Sequence, residues 1–198
     1  MKPRNRSKGT VRIEARDGRR TVVKDCRNIG NPLVRLYVRL TLRNELRAYT
    51  RLAGVAGIPD CYGLTGDGCL ELALAPGRHL GLFKRRSVSE EVFAKLAGIV
   101  QAMHDRGVAN TDLHRSNVLV AEDGAVHVID FAHAVIARDP GRPGALTRLA
   151  MQLDWYAFAR MKARFAGAEK PVPAGAFGLL YRLVKSVKRA LRALSGKT

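Results

Sequence analysis

The sequence predicts an α+β fold with two lobes, a short β-rich N-terminal lobe and a reduced, mainly helical C-terminal lobe. Two stretches, 10–25 and 61–75, carry the short apolar runs and turn residues that are typical of strands. After them, long segments with helical spacing of apolar residues dominate the chain. Pro76 and Gly77 interrupt the pattern between the two parts. We therefore predict a single domain of the following parts: N-lobe about 8–75, hinge about 71–78 and C-lobe about 79–198.

The N-terminal lobe is predicted to contain a hairpin followed by a helix. Residues 10–25 form two strand patterns around the turn signal Asp17-Gly18. Residues 33–53 have helical periodicity, and Glu45 falls on the same face as Leu42, Leu46, Tyr49 and Leu52. Burying a lone carboxylate is costly, so Glu45 either has a cationic partner or reaches water at the edge of the stripe.

The middle of the chain is predicted to continue with a second pair of strands and a second helix. Residues 61–75 indicate two short strands around a glycine-rich turn. Ser87 and Glu90 have the spacing of a capping box, which predicts a helix over about 88–106. Gly107 is expected to end that helix.

A hairpin in the C-terminal lobe brings three polar side chains together. Asp123-Gly124 lies between the apolar runs 118–120 and 126–129, which is a strong hairpin signal. Because a hairpin returns to its starting point, Asp130 is expected to lie a few ångströms from Asn117. Asp112 is in the same polar loop as Asn117, five residues earlier.

This cluster has the donors of a phosphate-transfer site. Carboxylate and amide oxygens suit Mg²⁺ that is also held by substrate phosphates. A remaining carboxylate is able to orient an attacking hydroxyl and to accept its proton. Asp and Asn are also ordinary turn residues, so each of them taken alone is better explained by a turn that caps the hairpin, whereas the full spacing favours the phosphate-transfer site.

Composition narrows the classes of partner. The chain has 198 residues, with 35 Lys and Arg against 17 Asp and Glu, for a formal net charge of +18. Such a charge favours anionic partners such as nucleotides, nucleic acid, acidic membrane surfaces or phosphorylated glycans. Aromatic residues are 6 % of the chain and no nucleic-acid motif is visible, so a nucleic-acid partner is less favoured but stays open.

Cysteine usage and hydropathy predict a cytoplasmic protein. The three cysteines, Cys26, Cys61 and Cys69, form no Cys-x-x-Cys pair, which argues against a disulfide framework or a zinc site. The charged N-terminal residues show no signal-peptide pattern, and no apolar run is long enough to cross a membrane.

Two helices are predicted in the last third of the chain. The first covers "ALTRLAMQLDWYAFARMKARF" and carries Asp154. The second, 177–194, has a narrow apolar face opposite a basic face. It either packs on the C-terminal lobe or lies on an anionic membrane surface.

Residues 103–134 carry a specific resemblance. The stretch "MHDRGVANTDLHRSNVLVAEDGAVHVIDFAHA" resembles the catalytic segment of the protein-kinase-like fold, in which H-x-D-L-x-x-x-N is followed by a hairpin and I-D-F. The D-L-H-x-x-N form is most similar to that of bacterial sugar and antibiotic kinases. These include lipopolysaccharide-core (Kdo/heptose) kinases, RIO-like kinases and aminoglycoside phosphotransferase-like kinases.

The resemblance implies roles for residues along the whole site. Asp112 would orient the acceptor hydroxyl and His114 would assist it, while Asn117 and Asp130 would hold Mg²⁺. Lys24 in "TVVKD" would bind the nucleotide phosphates, with Glu45 as its helix partner. The backbone from Glu71 through Ala73 to Ala75 would meet adenine. Asp154 would brace the catalytic loop, His104 would be structural, and His133 would be a solvated loop residue.

The sequence also departs from that family's pattern. No glycine-rich loop precedes Lys24, so phosphate cover would come from the segment with Arg16, Arg19 and Arg20, or be absent. Asn110 replaces the usual histidine and Thr111 the usual arginine, which implies no switch by activation-loop phosphorylation. The metal loop ends in Ala132 where glycine is usual.

The implied function is ATP- and Mg²⁺-dependent phosphate transfer to a hydroxyl. The acceptor is expected to be anionic, such as an envelope sugar of the lipopolysaccharide core reached from the inner face of the cell membrane. A RIO-like Ser/Thr protein kinase is an alternative, as is a pseudokinase that binds nucleotide or a partner without turnover.

Overall fold

The structure is a computed structural model that describes residues 10–16, 18–25, 27, 29–65, 68–172, 175 and 178. The helix predicted at 177–194 lies outside these residues, except for Gly178. None of the helices in the described ranges is long and apolar enough to cross a membrane.

A four-stranded antiparallel sheet forms the N-terminal part of the fold, in the order β1-β2-β4-β3. Its strands are β1 (Thr10–Arg16), β2 (Arg19–Asp25), β3 (Cys61–Leu64) and β4 (Leu70–Ala73). The predicted first hairpin is confirmed, with Lys24 opposite Val11 on β1 and opposite Leu70 on β4. Lys24 is therefore on an interior strand, which fixes the direction of its side chain.

Helix α1 (Pro32–Arg51) crosses this sheet, close to the predicted range. Asn31 caps its first turn by accepting hydrogen bonds from the amides of Leu33 and Val34, and Pro32 fits the first helical position. The other end of α1 is tied to the C-terminal half of the chain. Arg106 donates to the carbonyl oxygens of Arg51 and Ala53, at 3.2 and 3.3 Å.

Short strands follow the hinge and precede the main C-terminal helices. Strand β5 (Arg78–His79) pairs with β7 (Val118–Val120), and β7 pairs with β8 (Val126–Val128). The pairing of β7 with β8 confirms the hairpin predicted around Asp123-Gly124. Two further short strands were not predicted. They are β6 (Val108–Ala109), which precedes this hairpin in the sequence, and β9 (Val135–Ile136), which follows it, and they pair with each other.

Helices α2 (Glu90–Asp105) and α3 (Ala145–Phe165) complete the described fold. The predicted capping box at Ser87 is wrong, because α2 begins two residues later with Ser89 as its N-cap. The Ser87 hydroxyl instead donates to the carbonyl oxygen of Lys84 in the preceding turn. Gly107 follows the helix with a φ of 70°, as expected for a residue that ends it.

One continuous hydrophobic core joins both parts of the chain. It includes Tyr49 of α1, Leu72 of β4, Leu96 of α2 and Phe165 of α3, all of them buried. A β-rich N-terminal part and a mainly helical C-terminal part confirm the predicted α+β, two-lobed architecture. The proposed numerical bounds of the lobes stay a prediction.

Gly77 provides a test of how the hinge is held. Its φ is 113°, and a Cβ there would come within 2.7 Å of the carbonyl carbon and oxygen of Val120. We expect Gly77→Ala to lower the free energy of unfolding by about 1–3 kcal/mol or more, since strain adds to a backbone clash. Urea denaturation measures this loss.

Gly54→Ala is the matched control. Gly54 also has a positive φ, 77°, but a Cβ there would have no heavy atom within 4 Å. Gly54→Ala therefore has only the conformational cost of placing alanine at a positive φ. Equal losses for the two variants would contradict a tightly closed hinge at Val120.

Candidate functional site

The hairpin brings the three predicted polar residues to one edge of the C-terminal part. The amide of Ile129 donates to the carbonyl oxygen of Asn117 at 2.9 Å, so Asp130 follows directly beside it. The Asn117 side-chain amide donates to the carbonyl oxygen of Asp112 at 3.1 Å. The structure thus joins Asp112, Asn117 and the 129–131 segment by direct hydrogen bonds.

Lys24 and Glu45 belong to the N-terminal part of the chain and lie beside Asp130. The Lys24 Nζ lies 2.5 Å from Glu45 Oε1 and 3.5 Å from Asp130 Oδ1. Glu45 is 1 % exposed, and burial raises the pKa of its carboxyl, against the opposing attraction of Lys24. The predicted partner of Glu45 is therefore present, and its ammonium lies between the two carboxylates.

Helix α1 also holds the loop that contains Asp130. Glu45 Oε1 accepts from the amide of Phe131 at 3.2 Å, and the Tyr49 hydroxyl accepts from the amide of Asp130 at 3.3 Å. Asn44 donates to the carbonyl oxygens of Ala132 and Ala134, at 3.3 and 2.9 Å. Three side chains of one helix thus fix the segment from Asp130 to Ala134.

Asn110 connects the loop that contains Asp112 with the loop that contains Asp130. It is fully buried, its side-chain amide donates to the carbonyl oxygen of Asp130 at 2.8 Å, and its oxygen accepts from the amide of Asp112 at 3.0 Å. The sequence presented this residue as a departure from the family pattern. In the structure it is a two-sided bridge between Asp112 and Asp130.

Asp154 of α3 supports the loop that begins at Asn110. Its two carboxylate oxygens accept from the amides of Asn110 and Thr111, at 2.7 and 2.8 Å, and it is fully buried. His104 Nε2 lies 3.1 Å from the same carboxylate, in keeping with the structural role expected for it. The predicted bracing contact is thus present.

Backbone strain is concentrated in this loop pair. Among the described residues other than glycine, Arg86, Thr111 and Asp130 have a positive φ, and the last two belong to the site. Asp tolerates this conformation, but a β-branched residue such as Thr111, at 62°, adopts it only when its surroundings enforce it. Asp154 on one side and the bond from Thr111 Oγ1 to the carbonyl oxygen of His133 on the other supply that constraint.

The remaining predicted residues have mixed outcomes. His114 is exposed, with Nε2 3.7 Å from Asp112 Oδ2, and His133 is exposed on its loop. Glu71 lies inside β4, opposite Val23 on one side and Gly63 on the other.

The adenine contact predicted at Glu71 and Ala73 does not fit a free strand edge, because β4 is paired on both sides. The amide of Ala73 already donates to the carbonyl oxygen of Asp60, and that of Leu74 to the carbonyl oxygen of Arg20. The amides of Ala73 and Leu74 are therefore already engaged, which favours Ala75 within the predicted range 71–75, and the adenine contact stays a prediction.

The donor set beside Asp130 fits a hard divalent cation. The Asn117 amide nitrogen is used by Asp112, which leaves its oxygen directed away from that bond. The Asp130 side chain is 42 % exposed, and only its Oδ1 contacts Lys24. No group of three or more His, Cys, Asp or Glu able to hold a metal occurs in the described ranges, so a cation here would complete its shell with water and substrate oxygens.

Comparison with solved structures identifies the fold as that of the protein kinases. A Rio2 kinase from Chaetomium thermophilum superimposes with a TM-score of 0.64, at 15 % identity, over 89 % of this chain and 60 % of the kinase. The same kinase in an ADP/Mg²⁺-phosphoaspartate complex gives a TM-score of 0.63, over 88 % and 58 % of the two chains.

Two curated proteins are similar in sequence. "Probable SapB synthase" of Streptomyces coelicolor is 28 % identical over 179 residues, which cover 75 % of this chain and 19 % of that protein. "Putative serine/threonine-protein kinase YrzF" of Bacillus subtilis is 31 % identical over 94 residues, 46 % of this chain and 43 % of that protein. The chain thus spans less than half the length of both relatives. No protein-family model matches it.

The bridge made by Asn110 yields a prediction. Replacing it by alanine leaves the amide of Asp112 and the carbonyl oxygen of Asp130 without their partner. We expect Asn110→Ala to lower the free energy of unfolding by about 2–4 kcal/mol, since buried polar groups are costly to leave unpaired. Thr111→Val is the control, because it removes one exposed hydrogen bond and keeps the β-branched shape; we expect a loss of about 1 kcal/mol or less.

Urea denaturation of both variants gives the comparison. A loss for Asn110→Ala no larger than that for Thr111→Val would contradict the bridging role of Asn110.

Proposed function

We propose that this chain is an ATP- and Mg²⁺-dependent phosphotransferase whose acceptor is a hydroxyl group. The observation that carries the proposal is the hydrogen-bonded network that links Lys24, Asp112, Asn117 and Asp130 through Glu45 and Asn110. The kinase fold and the similarity to YrzF support it. One of the Rio2 structures contains ADP and Mg²⁺, which supports the same cofactors here.

The nucleotide end of the site would be built on the N-terminal sheet. The Nζ of Lys24 lies 3.5 Å from Asp130 Oδ1, so it would bind phosphate oxygens beside the metal ligands. Asn117 and Asp130 would hold Mg²⁺, which would offset the charge that develops on the transferred phosphoryl group. Adenine would meet backbone groups from Ala75 onward.

The acceptor end would be built on the catalytic loop. The Asp112 side chain is 53 % exposed, so its carboxylate is open to a substrate hydroxyl. It would orient the hydroxyl and take its proton while the oxygen–phosphorus bond forms and ADP leaves. His114, which faces Asp112, would bind the transferred phosphoryl oxygens or the acceptor.

The acceptor that we propose is a serine or threonine hydroxyl of a polypeptide. The similarity to YrzF supports this class, and the Rio2-like fold is compatible with it. The envelope sugar expected from the sequence has no support among the similar proteins. It stays a prediction, as do the cytoplasmic location and the membrane contact, since residues 177–194 lie almost wholly outside the described ranges.

A nucleotide-binding pseudokinase is the second candidate. The sequence before Lys24 lacks a glycine-rich loop, and Ala132 follows the metal loop, which both favour this candidate. The hydrogen bonds of Asn110 weigh against it, because they hold Asp112 and Asp130 in place without the usual histidine.

Neutralising single carboxylates separates the two candidates. We expect Asp112→Asn to lower phosphate transfer from labelled ATP roughly 100-fold or more, because it removes the proton acceptor, while ATP binding persists. Asp130→Asn is expected to abolish both transfer and the Mg²⁺ dependence of ATP binding. Asp105→Asn, an exposed site on α2, is the matched control and is expected to behave as wild type.

Transfer to a generic Ser/Thr protein acceptor and to lipopolysaccharide core is measured in parallel. Wild-type protein that binds ATP but transfers no label above Asp112→Asn would identify a pseudokinase. Wild-type protein that does not bind ATP would contradict both candidates.

A further inference from the structure

An arginine-lined groove begins next to the catalytic loop. A hollow of about 250 Å³ contains His114 and Arg115, and it adjoins a second hollow of about 520 Å³. The two hollows share Arg160 and Arg164 of α3. We define the arginine groove by its five guanidinium groups: Arg85, Arg86, Arg115, Arg160 and Arg164.

The backbone around the groove holds these arginines in place. Arg86 has a φ of 57°, an uncommon conformation that the bond from its amide to the carbonyl oxygen of Arg164 helps to enforce. The Arg86 side chain passes over Gly167, about 3.5 Å from where a Cβ would be, and the Arg115 side chain passes over Gly81, at 3.2 Å. Both arginine side chains therefore lie against backbone next to the groove, with the tighter contact at Gly81.

Two arginines on the other side of the groove contact aromatic rings. The guanidinium of Arg160 lies 5.9 Å from the Tyr156 ring centre, and that of Arg164 lies 5.4 Å from the Phe165 ring centre. Desolvation, followed by repulsion from Arg85 and Arg115, lowers the pKa of Arg164.

No carboxylate in the described ranges pairs with any of the five groove arginines. Residues 1–9 and 173–198 contain no Asp or Glu. Neither hollow is lined by the exposed acids nearest in sequence to these arginines, which are Glu90, Asp112 and Glu169. Positive charge is therefore concentrated in the groove, which favours an anionic ligand.

We propose that the arginine groove binds a run of Asp and Glu side chains in the acceptor polypeptide, close in sequence to the hydroxyl that is phosphorylated. This inference rests on the proposed function and specifies its substrate class. Arg115 of the groove is three residues from Asp112, so an acidic run in the groove would continue directly from a hydroxyl held at Asp112. A guanidinium group can donate two parallel hydrogen bonds to one carboxylate. This geometry fixes the position of the peptide along the groove as well as adding affinity.

The lining favours a polypeptide over single-stranded nucleic acid. Leu113, Met161 and Phe165 line the smaller hollow but are almost fully buried. Phe165 is only 1 % exposed, so it offers no ring face on which a base would stack.

Peptide binding without nucleotide tests the groove independently of catalysis. A fluorescent peptide with one serine followed by Asp and Glu is compared, by anisotropy, with a matched peptide that has Asn and Gln instead. We expect only the acidic peptide to bind tightly, and Arg160→Ala with Arg164→Ala to weaken it by about 10-fold for each arginine. Arg142→Ala, an exposed arginine outside the groove, is the control and keeps wild-type affinity.

A second variant guards against loss of folding. Arg160→Lys with Arg164→Lys keeps the charge and the aliphatic cover, and we expect it to restore part of the affinity. Equal binding of the two peptides, or equal affinity of wild type and the double alanine variant, would overturn the proposal. Tighter arginine-dependent binding of an oligonucleotide or of anionic vesicles would overturn it in favour of those ligands.

Kinetics then link the groove to the acceptor. We expect kcat/KM for phosphorylation to be higher for the acidic peptide than for its neutral match, and the double alanine variant to reduce that ratio. An acidic peptide that binds the groove but is phosphorylated no better than the neutral one would overturn the acceptor assignment. Protein that binds the peptide but lacks ATP turnover would contradict the proposed function and leave the carboxylate-binding groove supported.

Discussion

The buried carboxylate of Glu45 is the interaction on which the rest of the site depends. One of its oxygens accepts from Lys24 on the sheet and from the amide of Phe131 beside Asp130. A carboxylate that is 1 % exposed is costly unless it is compensated, so these two donors are required rather than incidental. The same contacts place the ammonium of Lys24 beside Asp130, and so join the N-terminal sheet to the metal loop.

A second buried network performs the same task from the C-terminal side. Asp154 accepts hydrogen bonds from the amides of Asn110 and Thr111. Asn110 in turn connects Asp112 to Asp130. Helix α1 holds the far end of the loop through Asn44 and Tyr49. Buried polar side chains from both parts of the chain thus position the loops that carry Asp112 and Asp130.

The parts of this site that depend on strong local rules were predictable from the sequence. The Asp-Gly hairpin placed Asp130 near Asn117, and the cost of a lone acid on an apolar face pointed to a partner for Glu45. The start of α2 was misplaced because Ser87 and Ser89 both suit an N-cap, and only tertiary contacts choose between them. The roles of Asn44, Asn110 and Tyr49 depend on partners more than 20 residues away or across a tight turn, which no local pattern reveals. The arginine groove arises from residues 85–86, 115 and 160–164, which come together only in the folded chain.

The most direct measurement of the central claim is Mg²⁺-ATP affinity, by calorimetry, for Glu45→Gln beside Glu122→Gln. Glutamine keeps the size of the Glu45 side chain but removes the charge that orients Lys24. We predict that Glu45→Gln weakens ATP binding by about 10-fold or more, because a hydrogen-bonded buried charge pair is broken, while Glu122→Gln, which is exposed, matches wild type. Equal affinity of both variants and wild type, with the fold intact, would contradict the claim that Glu45 organises the nucleotide site.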